Sequence, residues 1–74
     1  MIISTDKKID TKYIKINEGK ISKTESLEDW LFVDLSEDGN IMGIEILNAS
    51  LKDHNITIDD IYCIIKSRLS VKIG

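Results

Sequence analysis

Proline is absent from this sequence, and cysteine and histidine each occur once. The lone cysteine, Cys63, excludes an internal disulfide and the paired-cysteine zinc patterns, so the chain carries no redox or metal signature of that kind and the cytoplasm is its default location. Aromatic residues make up only 5% of the chain, and Tyr13 alone lies near the locally basic Lys7, Lys8, Lys12 and Lys15. No stacking platform for nucleic acid accompanies those lysines, and they read as a solvated strand face. Positive charge is not in excess either. The net charge of -3 and pI near 5.0 argue against a partner made of phosphates. No apolar run approaches the ~20 residues that cross a bilayer, and no signal-peptide architecture is present at the N-terminus. In that context the sequons Asn48-Ala49-Ser50 and Asn55-Ile56-Thr57 carry no meaning.

What remains is ordinary for a folded protein: 42% hydrophobic and 31% charged, with isoleucine dominating the apolar set, a composition that favours strands. At 74 residues the chain reads as one domain, and such a domain buries only about 60% of its unfolded surface, which leaves little apolar area for a deep pocket.

The segment Trp30 to Leu47, WLFVDLSEDGNIMGIEIL, admits two readings. As a hairpin with a two-residue loop at Asp38-Gly39, facing residues have numbers that sum to 77, and Leu31 faces Ile46, Val33 faces Ile44 and Leu35 faces Met42. The opposite face pairs Trp30 with Leu47, Phe32 with Glu45, Asp34 with Gly43 and Ser36 with Ile41. As a calcium loop, the same segment places Asp34, Ser36, Asp38, Gly39, Ile41 and Glu45 at positions 1, 3, 5, 6, 8 and 12. That site needs helices on both flanks, whereas Phe32-Val33 and Ile44-Glu45-Ile46 favour strand, and no second loop exists to pair with it. The hairpin is preferred. A helical Ser26 to Val33 would favour the ion; an extended one would favour the hairpin.

Before the hairpin, residues 1–9 read as a loosely held arm with at most a short edge strand. Alternation from Asp10 to Ile16 gives a first strand, and Glu18-Gly19 gives a turn that pairs Ile16 with Ile21 on a second, weaker strand over Lys20 to Thr24. Thr24 to Asp29 is a polar connection, with helix as its alternative. After the hairpin, Asn48-Ala49-Ser50 closes the sheet and Lys52-Asp53-His54-Asn55 forms a loop. A helix then starts at Thr57, with Asp59 and Asp60 at its positive end, Lys66 and Arg68 at its negative end, and an apolar stripe of Ile58, Ile61, Ile65 and Leu69. Val71 and Ile73 suggest a terminal strand too brief to define. The expected fold is α+β: an antiparallel β-meander of about four strands over residues 10–50, covered on one face by a C-terminal helix within residues 51–74.

No catalytic motif survives scrutiny. His54 lies in a polar loop without a partner at metal or dyad spacing, and Cys63 on the helix fits a core boundary with no base placed against it. Asp34, Asp38 and Glu45 read as solvated charges, and Gly43 as a bulge or a close backbone approach. The chain is expected to use no cofactor and no catalytic residue.

The run GNIMGIEILNAS, preceded by VDLSED, closely resembles a family of short prokaryotic proteins known as domain of unknown function 2283, over about Tyr13 to Ser50. Tyr13, Val33, Asp34, Asp38, Gly39, Gly43, Ile44, Glu45, Ile46, Ala49 and Ser50 stand at its pattern positions. The resemblance implies a small antiparallel sheet with no established activity. A sheet that one helix covers on one face leaves the other to explain, and Trp30, Phe32, Ile41 and Leu47 fall there as an interface. The expected function is a non-catalytic interaction module, a homodimer through its sheet, with a role as a regulatory partner or, by analogy, an antitoxin-like one. The alternative is a divalent-cation site of Asp34, Ser36, Asp38 and Glu45, with a small enzyme third.

Overall fold

Strands β4 (Leu31–Leu35) and β5 (Ile41–Leu47) form the hairpin, and their register carries the rest of the fold. Leu31 faces Ile46, Phe32 faces Glu45, Val33 faces Ile44 and Asp34 faces Gly43, as the sum of 77 requires. At the tip the expectation fails. Leu35 faces Ile41 rather than Met42, with a register shift after Asp34. The loop is not the two-residue Asp38-Gly39 but the three residues Glu37, Asp38 and Gly39: the Gly39 N–H donates to the Ser36 carbonyl (3.0 Å) and the Ser36 N–H to the Asn40 carbonyl (2.9 Å). The reason is conformational. A two-residue primed turn needs positive φ at both Asp38 and Gly39, whereas this turn asks it only of Gly39, at +87°. The odd loop displaces the register by one residue, and a bulge at Met42 restores it.

The computed structural model describes residues 1–69, without the side chains of residues 52–54. Its five strands, β1 (Ile2–Asp6), β2 (Thr11–Lys15), β3 (Lys23–Glu28), β4 and β5, form one antiparallel sheet in the order β1-β2-β5-β4-β3. The class is α+β as expected, with five strands instead of about four. The segment allotted to an arm is β1, paired along its length with β2. The expected Ile16–Ile21 pairing does not form. β2 lies against β5 instead, where Ile14 meets Ile44, an apolar pair deeper than any that the loop residues offer. Residues 16–22 thus cross the end of the hairpin: the Ile16 and Asn17 N–H groups donate to the Met42 carbonyl, and the Ser22 N–H to the Leu35 carbonyl. Thr24 to Glu28, read as a connection, is most of β3, and Asp29-Trp30 is the turn into β4.

Two helices follow. α1 (Ala49–Asn55) occupies the place of the expected closing turn and loop. Its start is capped from across the chain, because the Asp10 carboxylate accepts from the Ser50 N–H (3.0 Å) and hydroxyl (2.7 Å), and the Asp10 carbonyl from the Ala49 N–H. α2 (Ile58–Arg68) begins with the expected Thr57 cap, made reciprocal by Asp60. Its far end is tied to β3, where Arg68 donates to the Leu27 carbonyl (2.8 Å) and to Glu28 (2.7 Å). The core lies between α2 and the sheet: Ile61 and Ile65 of the helix pack over Ile14, Leu27, Leu31, Val33, Leu35, Ile41, Ile44 and Ile46, with Ala49 beside them. Ile58, counted in the apolar stripe, is exposed. The suggested strand at Val71 and Ile73 lies outside the described residues.

Candidate functional site

The sheet has an open face and a helix-bearing face, and each holds one grouping of note. On the open face, register aligns Lys15, Gly43, Asp34 and Thr24 in one row across β2, β5, β4 and β3, and Tyr13, Glu45, Phe32 and Ser26 in the next. The Tyr13 hydroxyl donates to Asp34 Oδ2 (2.7 Å), and the Thr24 hydroxyl donates to Asp34 Oδ1 (2.5 Å). The tyrosine ring reaches Asp34 by lying across Gly43, where a Cβ would occupy the same space. Gly43 is thus a close approach, made by the Tyr13 side chain rather than by the backbone expected above. Burial, then the bond to Asp34 and the charges of Asp34 and Glu45, push the Tyr13 phenol up to about 12. Chemically the trio is a positioned hydrogen-bond network that fixes β2, β4 and β3 against one another.

This geometry redistributes the expected cation ligands. Asp34 is engaged by Tyr13 and Thr24, the Ser36 hydroxyl accepts from the Asn40 N–H (3.1 Å), Asp38 is exposed at the turn, and Glu45 lies between Tyr13 and Phe32. The segment is flanked by strands, and Ser26 to Val33 is strand on both sides of the Asp29-Trp30 turn rather than helical. Among the described residues no group of three or more His, Cys, Asp or Glu side chains is set to hold a metal ion.

The interface quartet is also divided. Ile41 is buried in the core at 6% exposure, because the bulge turns it to the helix-bearing face opposite Leu35. Trp30 sits in the turn and packs against the core. Phe32 and Leu47 remain on the open face, half-buried. Cys63 is exposed on α2 rather than at a core boundary, and the His54 side chain lies outside the described part of the molecule.

The second grouping is on the helix-bearing face. α2 packs on the sheet, and beside its first turns a groove of about 130 Å³ stays open, lined almost wholly by apolar atoms of residues including Ile14, Ile16, Ile44, Ile58, Ile61 and Tyr62. Met1 also lines it, and Ile3, paired with Ile14 across the β1–β2 ladder, continues the same apolar strip. Met1, Ile3, Ile16, Ile58 and Tyr62 are all exposed. The sequence did not single out this strip; its signal, the isoleucine-rich N-terminus, was assigned to an arm.

A five-stranded antiparallel sheet bearing two short helices defines a small α+β protein. The family model described as "Protein of unknown function (DUF2283)" matches residues 3–50, and the chain belongs to that family. The match takes in the sheet and the first residues of α1, while α2 lies beyond it. No curated protein and no solved structure matches the chain. Tyr13, Asp34, Gly43 and Glu45, on which the resemblance was drawn, fall together in the open-face network. No helix among the described residues is long and apolar enough to cross a membrane.

Proposed function

We propose that this protein is a small, non-catalytic interaction module of the cytoplasm that self-associates through its sheet and acts as an antitoxin-like or regulatory partner. The observation that carries this reading is the uncovered apolar strip of Met1, Ile3, Ile16, Ile58 and Tyr62, on a domain too small to leave such area unused. Polar groups support it by their occupation. The Tyr13–Asp34–Thr24 network is satisfied internally, and no buried polar side-chain atom among the described residues lacks a partner, so the polar chemistry of the open face is spent on structure. Light scattering across a dilution series tests the reading. The expected result is a mass twice that of the chain at high micromolar concentration, falling on dilution; a single-chain mass at every concentration overturns it.

A further inference from the structure

The two edges of the sheet differ in how they are guarded. β3, at one edge, carries the Lys23–Glu25 ion pair (3.2 Å), a register shift between Ser26 and Glu28, and Arg68 bound to the Leu27 carbonyl. Charges, a bulge and a covering side chain are the devices by which proteins keep an edge from pairing. β1, at the other edge, has no bulge and no covering side chain among the described residues. It is straight in register over five residues, its one charge is Asp6 at its end, and both Ile2 and Ile3 are more than half exposed.

The direction of its unpaired backbone groups follows from the ladder. The Ile16 N–H donates to the Met42 carbonyl, so alternate residues Ile14 and Lys12 bond toward β5, and Tyr13 and Lys15 bond toward β1. Their partners Ser4 and Ile2 spend their N–H and C=O groups on β2. Those of Ile3 and Thr5 therefore point outward.

We propose that a second copy of this chain pairs antiparallel with that edge, β1 to β1, about a twofold axis at Ser4, joining two five-stranded sheets into one of ten. The inference rests on the self-association proposed above and assigns its surface. In this register Ile3 faces Thr5 of the other copy and exchanges both backbone hydrogen bonds with it, Ser4 faces Ser4, and Ile2 faces Asp6. Within the paired strands no like charges oppose one another, and one step beyond them Met1 faces Lys7 of the other copy. Ile3 and Thr5 lie on the helix-bearing face in both copies, so both α2 helices sit on one side, with the two apolar grooves at opposite ends of the paired strands. Pairing five residues a side covers Ile2 and Ile3, each more than half exposed in the single chain, in an interface of no more than roughly 1,000 Å² for the pair. Such an area predicts a reversible dimer.

The test uses the full chain. Thr5→Pro removes an outward N–H that β2 does not need, and proline is tolerated on an edge strand. Ile3→Lys adds an edge charge without touching the ladder. Each is expected to raise the dimer dissociation constant by at least about tenfold with unchanged far-ultraviolet circular dichroism. In parallel, Ser4→Cys in a Cys63→Ser chain is treated with oxidised glutathione. Residues facing each other at a non-hydrogen-bonded position have Cα atoms about 4.5 Å apart, within disulfide reach, so a covalent dimer is expected. Asp38→Cys in the same background, at the hairpin tip, is expected to form no covalent dimer. A dimer that persists in both edge variants, with no Ser4→Cys cross-link, overturns this surface while leaving self-association standing. A native chain that never dimerises overturns both. If one edge variant unfolds, the other and the cross-link decide.

Discussion

Gly43 shows how one residue couples three strands. Its missing side chain is the space in which the Tyr13 ring lies, and through that ring β2 reaches Asp34 on β4 across the intervening β5. Gly43→Ala is expected to cost about 1–3 kcal/mol, because the ring must move and Asp34 loses a donor. The same substitution in a Tyr13→Ala chain is expected to cost little, so urea midpoints of the four proteins should show strong coupling; additive losses would refute the close approach. The pH dependence follows from the same contact. The phenol of Tyr13 titrates near 10.0 when unfolded and about 12 when folded, so the folded state holds its proton more tightly. This contribution is fully present below pH 10 and is lost as pH rises through about 12. Native stability should decline over that interval, and Tyr13→Phe should flatten the decline, as read by urea unfolding at a series of alkaline pH values. Residue by residue, the sequence disclosed Gly43 as a place of close approach but misassigned Asp34, whose partners Tyr13 and Thr24 lie 21 and 10 positions away and carry no local signature. Carboxylates at alternate positions look alike whether they await an ion or accept hydroxyls from neighbouring strands.

Among the elements, the hairpin shows that a correct register can arise from an incorrect turn. Counting to 77 finds Val33 opposite Ile44 equally well for a two-residue loop and for a three-residue loop followed by a bulge. The choice between them depends on φ, which the apolar pattern does not report. The observed loop predicts an asymmetry: Gly39→Ala should cost about 1 kcal/mol, since an L-residue resists φ of +87° although nothing crowds it, while Asp38→Ala should be within about 0.5 kcal/mol of neutral. Equal losses at both positions would favour the two-residue turn. The bulge also moves Ile41 from the open face into the core, so Ile41→Ala is expected to cost about 2–4 kcal/mol in thermal or urea unfolding, far more than an exposed interface residue would. Elements built from neighbouring residues were the legible ones: the Thr57 cap, the carboxylates of the first turn and the Ile61–Ile65 stripe define α2 within a dozen positions, though the return bond from Asp60 was not read. Those built across the chain were not. α1 takes its cap from Asp10, 40 residues before Ser50, and without that partner Asn48-Ala49-Ser50 reads as a turn. β2 in turn had a local partner in Ile21, which lost to Ile44 because only the latter brings a fully buried surface.

Taken whole, the molecule divides its apolar surface unevenly. α2 is fastened at its C-terminal end to β3 by Arg68, and the groove stays open beside its N-terminal turns, where Ile58 and Tyr62 face Ile14, Ile16 and Ile44. A 74-residue domain that buries about 60% of its unfolded surface has only a few kcal/mol of net stability, so area shared between copies is a large fraction of the total. That ties folding to concentration. If two chains complete each other along β1, the native dimer is favoured by mass action, and the thermal midpoint should climb by several degrees as protein concentration increases about a hundredfold. Thr5→Pro, as a monomer, should show a midpoint that does not move with concentration and lies near the value that the native chain approaches on dilution. Differential scanning calorimetry on both proteins makes the comparison. A native midpoint as insensitive to concentration as that of the variant would mean that the exposed isoleucines contribute nothing to the folded state that two chains share.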